Sequence, residues 1–207
     1  MSAGPDTPEI ISIRDAKAQA RSHARGARAK AFVATPDAGL RVRDRFLSEL
    51  LPKLALKPGA IVTGYIPFGD ELDPRPLLTV LEERGFLLAA PCIVERDRPL
   101  AFRRWDVYAG LSPGRFGFGI PEPSADAPIV EPDMVLVPML AFDRRGHRLG
   151  YGRGYFDRTL AMWRGRRTIV AVGLAFSAQE VLSLPISDDD QRLDWIVTEA
   201  SLIHPTL

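Results

Sequence analysis

The chain has 207 residues, which suits one domain of ordinary size and is tight for two. A hydrophobic fraction of 46% and a charged fraction of 26% exclude a disordered or low-complexity chain, and a formal charge of +1 excludes a polycation built to coat nucleic acid. Cys92 is the only cysteine, so an intrachain disulfide framework is excluded and a reducing cytoplasm is expected.

Residues 1–10 carry neither a basic start nor an apolar run, so they are expected to be a disordered tail rather than a signal peptide. Residues 11–207 are expected to form a single α/β domain. Ser12 and Asp15 give a helix start signal, and alanine-rich helix formers continue to about Ala34. Thr35-Pro36 restarts a second helix carrying Phe46, Leu47, Leu50, Leu51 and Leu54. Strands are expected at Ala60–Ile66, Phe86–Ala90, Leu100–Trp105, Asp133–Pro138, Thr168–Ala175 and Trp195–Thr198. Helices are expected from Asp73-Pro74 to Arg84 and from Tyr155 to Trp163. Ser112–Pro132, rich in proline and glycine, reads as a long ordered loop, and the longest apolar run, Phe86–Val94, is interrupted by Pro91 and cannot span a bilayer. Alternating helices and continuously apolar strands imply a Rossmann-like three-layer fold, with a mostly parallel sheet covered on both faces. Ligands of such sheets bind at the carboxyl ends of the strands, after Ile66, Val137 and Ala175 here.

Four segments could carry chemistry. Between an expected strand and helix, Gly150, Gly152 and Gly154 alternate and are flanked by Arg148 and Arg153. Glycines let backbone approach a ligand, and the arginines add phosphate contacts, so the loop reads as a phosphate site, the alternative being a turn that packs helix on sheet. It is neither a Walker A loop nor a dinucleotide fingerprint. Asp143, before Gly146, reads as a turn residue. In the first helix Arg14, Lys17, Arg21, Arg25 and Arg28 recur at spacings of three and four and share one face. That face is either solvated or meets nucleic acid, an anionic membrane or a nucleotide triphosphate, and no aromatic residue before Phe32 supports the first two ligands. Asp70, Glu71 and Asp73 close the first strand: Asp73 as helix cap, Glu71 toward the crevice or, like Asp70, into solvent. Asp188, Asp189, Asp190 and Asp194 either hold Mg²⁺ beside phosphates or form a solvated loop. His23, His147 and His204 lack zinc-ligand spacing, and Cys92 has no neighbouring histidine and reads as core.

The stretch Ala141-Phe-Asp-Arg-Arg-Gly-His-Arg-Leu-Gly-Tyr-Gly-Arg-Gly-Tyr-Phe-Asp-Arg158 resembles the signature of the 5-formyltetrahydrofolate cyclo-ligases. The resemblance runs from about Arg14 to Thr198 and includes Lys17-Ala-Gln-Ala-Arg21, Tyr65 to Glu71, Phe118-Gly-Ile-Pro-Glu-Pro123, Ala175 to Gln179 and Asp190 to Asp194. It implies closure of 5-formyltetrahydrofolate to 5,10-methenyltetrahydrofolate with ATP and Mg²⁺: the formyl oxygen takes the γ-phosphoryl group, the nitrogen at position 10 attacks the activated carbon, and phosphate leaves. It further implies that Lys17, Arg21 and the loop Arg148, Leu149, Gly150, Tyr151, Gly152, Arg153, Gly154 and Tyr155 bind ATP. On the same basis Ile66, Glu71, Phe118 and Tyr155 bind the folate, and Asp157 and Asp190 hold Mg²⁺. Arg25 and Arg28 are left to the solvated face. Arg153 stands where many members have Gly or Lys, and Phe156 replaces a common Tyr. A monomer without nucleic-acid or membrane partners is expected, and the alternative is a catalytically weak nucleotide- or RNA-binding relative.

Overall fold

The computed structural model describes residues 12–114, 116 and 119–206. The segment 1–10, expected to be a tail, and Phe118 lie outside the described residues.

Helix α1 spans Ile13–Ala34, and the Ser12 hydroxyl accepts from the backbone N–H of Asp15, which is the start signal expected from sequence. Its inward stripe is Ala20, Ala24, Ala27 and Ala31, small residues that let the helix lie close to the sheet end. Helix α2, Ala38–Arg45, ends sooner than expected. The chain widens into a π turn over Phe46–Leu50 and tightens into a 3₁₀ turn over Leu51–Lys53. Pro52 accounts for the change, since it lacks an N–H and its ring clashes with the preceding turn. Phe46 and Leu50 nevertheless stay fully buried.

One eight-stranded sheet follows, ordered β10-β9-β8-β5-β1-β2-β3-β4. Its strands are β1 Ile61–Thr63, β2 Leu87–Cys92, β3 Ala101–Arg104, β4 Ile129–Val130, β5 Met134–Val137, β8 Val170–Leu174, β9 Trp195–Val197 and β10 Leu202–Ile203. The strands β9-β8-β5-β1-β2 are parallel, whereas β3, β4 and β10 pair antiparallel. Read in chain order, the parallel strands run 2-1-3-4-5, so the winding reverses between β1 and β5 and a crevice opens there.

Alternation along each strand sorts two cores. Val62, Leu88, Met134, Leu136, Val172 and Leu174 face α2 and helix α3, Arg75–Glu83. Val135, Val137, Ala171 and Ile196 face helix α4, Tyr155–Arg164, through Leu160 and Trp163. Helices thus cover both faces, as the apolar strands require. The expected strand Ala60–Ile66 is a regular strand only over Ile61–Thr63; Gly64 N–H still donates to the Ala89 carbonyl at 2.9 Å, and beyond it the Tyr65 hydroxyl donates to the carbonyl of Leu72 at 2.7 Å. A hairpin of β6, Ala141–Phe142, and β7, Arg148–Leu149, lies inside the glycine-loop segment and was not expected from sequence. No helix among the described residues is long and apolar enough to cross a membrane.

Candidate active site

A cavity of about 450 Å³ sits at the carboxyl ends of the parallel strands. Lys17, Arg21, Arg148–Tyr155, Asp157 and Asp190 line it, and so do Ile66 and Glu71. Every site residue expected from sequence and described in the structure therefore borders one space. Its lining divides by element. The cations, with Asp157, Asp189 and Asp190, come from α1, the glycine loop, α4 and the 187–190 turn, whereas Glu71 and Glu122 enter from the β1–β3 side. Ile66, Phe68, Ile93 and Ile120 come from the β1–β3 side.

The hairpin fixes the start of the glycine loop. Asp143 is fully buried and accepts from the backbone N–H groups of Arg145 at 3.0 Å and His147 at 3.2 Å, which closes the turn. Burial alone would raise its pKa, but hydrogen bonds from His147 and Arg145 outweigh that and hold the carboxyl below its usual range. Asp143 is thus the turn residue that the sequence suggested. Of the alternating glycines, Gly152 (φ +94°) and Gly154 (φ +65°) take left-handed backbone, whereas Gly150 does not. A Cβ on Gly152 would lie 2.9 Å from the Arg21 guanidinium carbon, so the bare backbone is what admits that side chain. Arg21 donates to the Gly150 carbonyl at 3.0 Å. Gly154 is the N-cap of α4 and supplies no side-chain cap, and the N-terminal end of a helix favours an anion.

The ionic groups are paired across the cavity. Lys17 lies 2.5 Å from Asp190, and Arg148 lies 2.6 Å from Asp157. Arg148 also donates to the Gln191 carbonyl, and Gln191 N–H donates back to Asp157 at 3.1 Å. Burial lowers the pKa of Arg148, opposed by Asp157 and Asp190, yet an arginine stays charged. Among the described residues the second oxygens, Asp157 Oδ2 and Asp190 Oδ1, make no hydrogen bond. The donor set therefore fits Mg²⁺ carried by phosphates, which takes one or two carboxylates and keeps waters. It does not fit a metal held by protein alone: no group of three or more metal-ligating side chains occurs among the described residues.

Glu71 is buried, with Oε2 accepting from Phe68 N–H at 2.9 Å, and burial raises its pKa against that bond and the Arg28 charge. Asp73, expected as the cap of α3, is not its N-cap, which is Pro74 without a side-chain cap bond; Asp73 instead accepts from the backbone N–H of Arg75 and pairs with its guanidinium. Arg28 corrects the sequence expectation. It is not solvated but 2% exposed, and it donates to Asp70 at 2.5 Å and to the Tyr151 hydroxyl at 2.7 Å. Arg25 is exposed, as expected. Glu122, whose Oε1 accepts from Ile93 N–H at 3.1 Å, also lines the cavity and was singled out only as part of a longer motif. Cys92 is buried, and its thiol is pushed up to about 11, mainly by burial, which makes it inert as expected.

A sheet ordered 2-1-3-4-5 with a glycine loop, cations and carboxylates at its switch point defines an α/β protein with a charged site beside an apolar pocket. The sequence pattern of the 5-formyltetrahydrofolate cyclo-ligase family matches residues 14–199. A 5-formyltetrahydrofolate cyclo-ligase of Escherichia coli K12 is 32% identical over 146 residues, 68% of this chain and 79% of that protein. One of Haemophilus influenzae is 43% identical over 132 residues, 62% of this chain and 70% of that protein. The solved structure of Aquifex aeolicus 5,10-methenyltetrahydrofolate synthetase superposes with a TM-score of 0.69 at 29% identity, covering 91% of this chain and 92% of that one. The chain belongs to the 5-formyltetrahydrofolate cyclo-ligase family, a family of enzymes.

Proposed function

We propose that the chain closes 5-formyltetrahydrofolate to 5,10-methenyltetrahydrofolate at the expense of ATP, releasing ADP and phosphate. The observation that carries this reading is the two-sided cavity, with phosphate-binding chemistry at one end and apolar walls around a buried carboxylate at the other. Lys17, Arg21, the glycine loop and the N-terminal end of α4 hold the triphosphate. Ile66, Phe68, Ile93 and Ile120 flank the folate, and Phe118 belongs to the same proposed set. Asp157 and Asp190 would hold Mg²⁺, which would supply neutralisation of the phosphate charge.

The formyl oxygen attacks the γ-phosphorus, and the bond to ADP breaks. The nitrogen at position 10 then forms its bond to the formyl carbon, loses its proton, and phosphate departs with the former formyl oxygen. Glu71 is the group we assign to that proton, since burial raises its affinity for one. No step requires a covalent protein nucleophile, which accords with the inert Cys92. The proposal is of a single-domain cytoplasmic monomer. Its folate and nucleotide partners are small molecules, and the +1 charge supports no role for nucleic acid.

The test is the growth of methenyl-product absorbance when the protein is mixed with ATP, Mg²⁺ and 5-formyltetrahydrofolate. Product that forms equally without ATP, or no product at all, overturns the reading. A steeply salt-dependent RNA shift with no turnover would instead favour a binding relative.

A further inference from the structure

We propose that Arg28 is a positioning residue that couples the glycine loop to the folate pocket, so that filling one favours filling the other. The proposal rests on the reading of the cavity given above.

At Arg28 three sequence-distant segments meet on a single buried charge. One guanidinium nitrogen reaches both Asp70, in the loop after β1, and the hydroxyl of Tyr151, in the glycine loop. The other donates to the Met139 carbonyl after β5 at 3.5 Å and lies 3.8 Å from Glu71 Oε1. The Tyr151 ring also lies against the cation, 5.3 Å from its carbon.

A desolvated guanidinium depends on its partners, and losing one is strongly unfavourable. Its planar fork sets the partners at fixed separations. Tyr151 is 42% exposed, so this part of the loop is held more by its hydrogen bond than by burial. Glu71 cannot adjust alone, because Phe68 N–H fixes its other oxygen. A shift of the loop that closes on phosphates therefore pulls on Arg28, and through it on Asp70 and Glu71. The lever is reciprocal, as binding linkage requires.

The experiment is calorimetric titration of 5-formyltetrahydrofolate into the full chain, with and without Mg²⁺ and a non-hydrolysable ATP analogue. In the wild type, the analogue should tighten folate binding by roughly tenfold, about 1.4 kcal/mol. Arg28→Lys keeps the charge but loses the fork, and Tyr151→Phe loses one hydroxyl. Both should reduce the effect to about threefold or less, beyond any change in either ligand's binary affinity. Thermal melting run alongside separates coupling from stability, because a purely structural role lowers the melting temperature and leaves the ratio intact. If Arg28→Lys fails to fold, the milder Tyr151→Phe decides. A wild type that binds each ligand without mutual effect overturns the inference while leaving the site reading intact, and so do variants that keep the tenfold ratio. A wild type that binds neither ligand overturns both.

Discussion

At Glu71 the needs of binding and of folding oppose each other. Its raised pKa means that the folded protein holds the proton more tightly than the unfolded chain. The stability it contributes is fully present below the unfolded value and is lost as pH rises through the folded one. Glu71→Gln keeps an acceptor for Phe68 N–H but removes the buried charge. We expect it to raise stability at pH 8, with little change at pH 4, while activity collapses. Melting curves at both pH values check the sign. The metal carboxylates give a second residue-scale test. Asp157→Asn and Asp190→Asn should each cut kcat by about tenfold or more, partly restored by raised Mg²⁺, and Asp188→Asn should stay near wild type. Full activity of Asp190→Asn across a Mg²⁺ titration removes it from the site. Arg28 was legible as a cation but not as a buried one. Spacings of three and four place Lys17, Arg21, Arg25 and Arg28 on one stripe without saying which edge of it turns inward. The signal lay in Ala20, Ala24, Ala27 and Ala31, whose small side chains mark the packed side of α1 and put Arg28 nearer to it than Arg25.

At the scale of elements, the glycine loop separates backbone need from mere composition. Gly152 carries positive φ and a crowded Cβ position, whereas Gly150 has negative φ and open space. Gly152→Val should weaken ATP binding by about tenfold or more by straining the turn and displacing Arg21, with the core still folded. Gly150→Ala should remain within about twofold of wild type, a difference that the alternating pattern alone would not suggest. Equal ATP affinities for the two variants in titration calorimetry would refute that distinction. The loop itself was readable because its residue types are demanded by phosphate chemistry. The β6–β7 hairpin beneath it was not, since two-residue strands carry too little periodicity to register. Pro52 was likewise visible, but its consequence, a π turn that still buries Phe46 and Leu50, comes from tertiary packing overriding helix propensity.

For the whole molecule, the paired charges of the cavity make ligand binding a stability event. Lys17–Asp190 and Arg148–Asp157 bridge α1, the glycine loop, α4 and the turn before β9. A nucleotide with Mg²⁺ exchanges these partners for phosphate and metal and spans the same elements. At a hundredfold excess over Kd it should stabilise the fold by about 2.7 kcal/mol, raising the melting temperature by roughly 5–10 °C. Mg²⁺ alone should do little, because each carboxylate already has a cation. A large shift from Mg²⁺ without nucleotide would show that the metal site forms on its own. The architecture as a whole was the most legible level, since continuous apolar strands alternating with helices leave few topologies, whereas β4 and β10 were hidden by their shortness and β3, expected as a strand, gave no sign of its antiparallel pairing.

Those short outer strands also govern how molecules of this chain meet one another. A sheet edge with unpaired N–H and carbonyl groups is a template on which a second chain can add a strand. Here the two edges are β4 and β10, each two residues long. Pro128 and Pro132 flank β4, and Pro205 follows β10 closely, so each ladder soon reaches a residue with no N–H to give. The long parallel strands rich in valine and leucine, which would be the adhesive part of the molecule, are enclosed between edges that cannot be extended. Crowded in concentrated solution, the main sheet of the folded protein, among the described residues, therefore offers its neighbours only two-residue edges to copy.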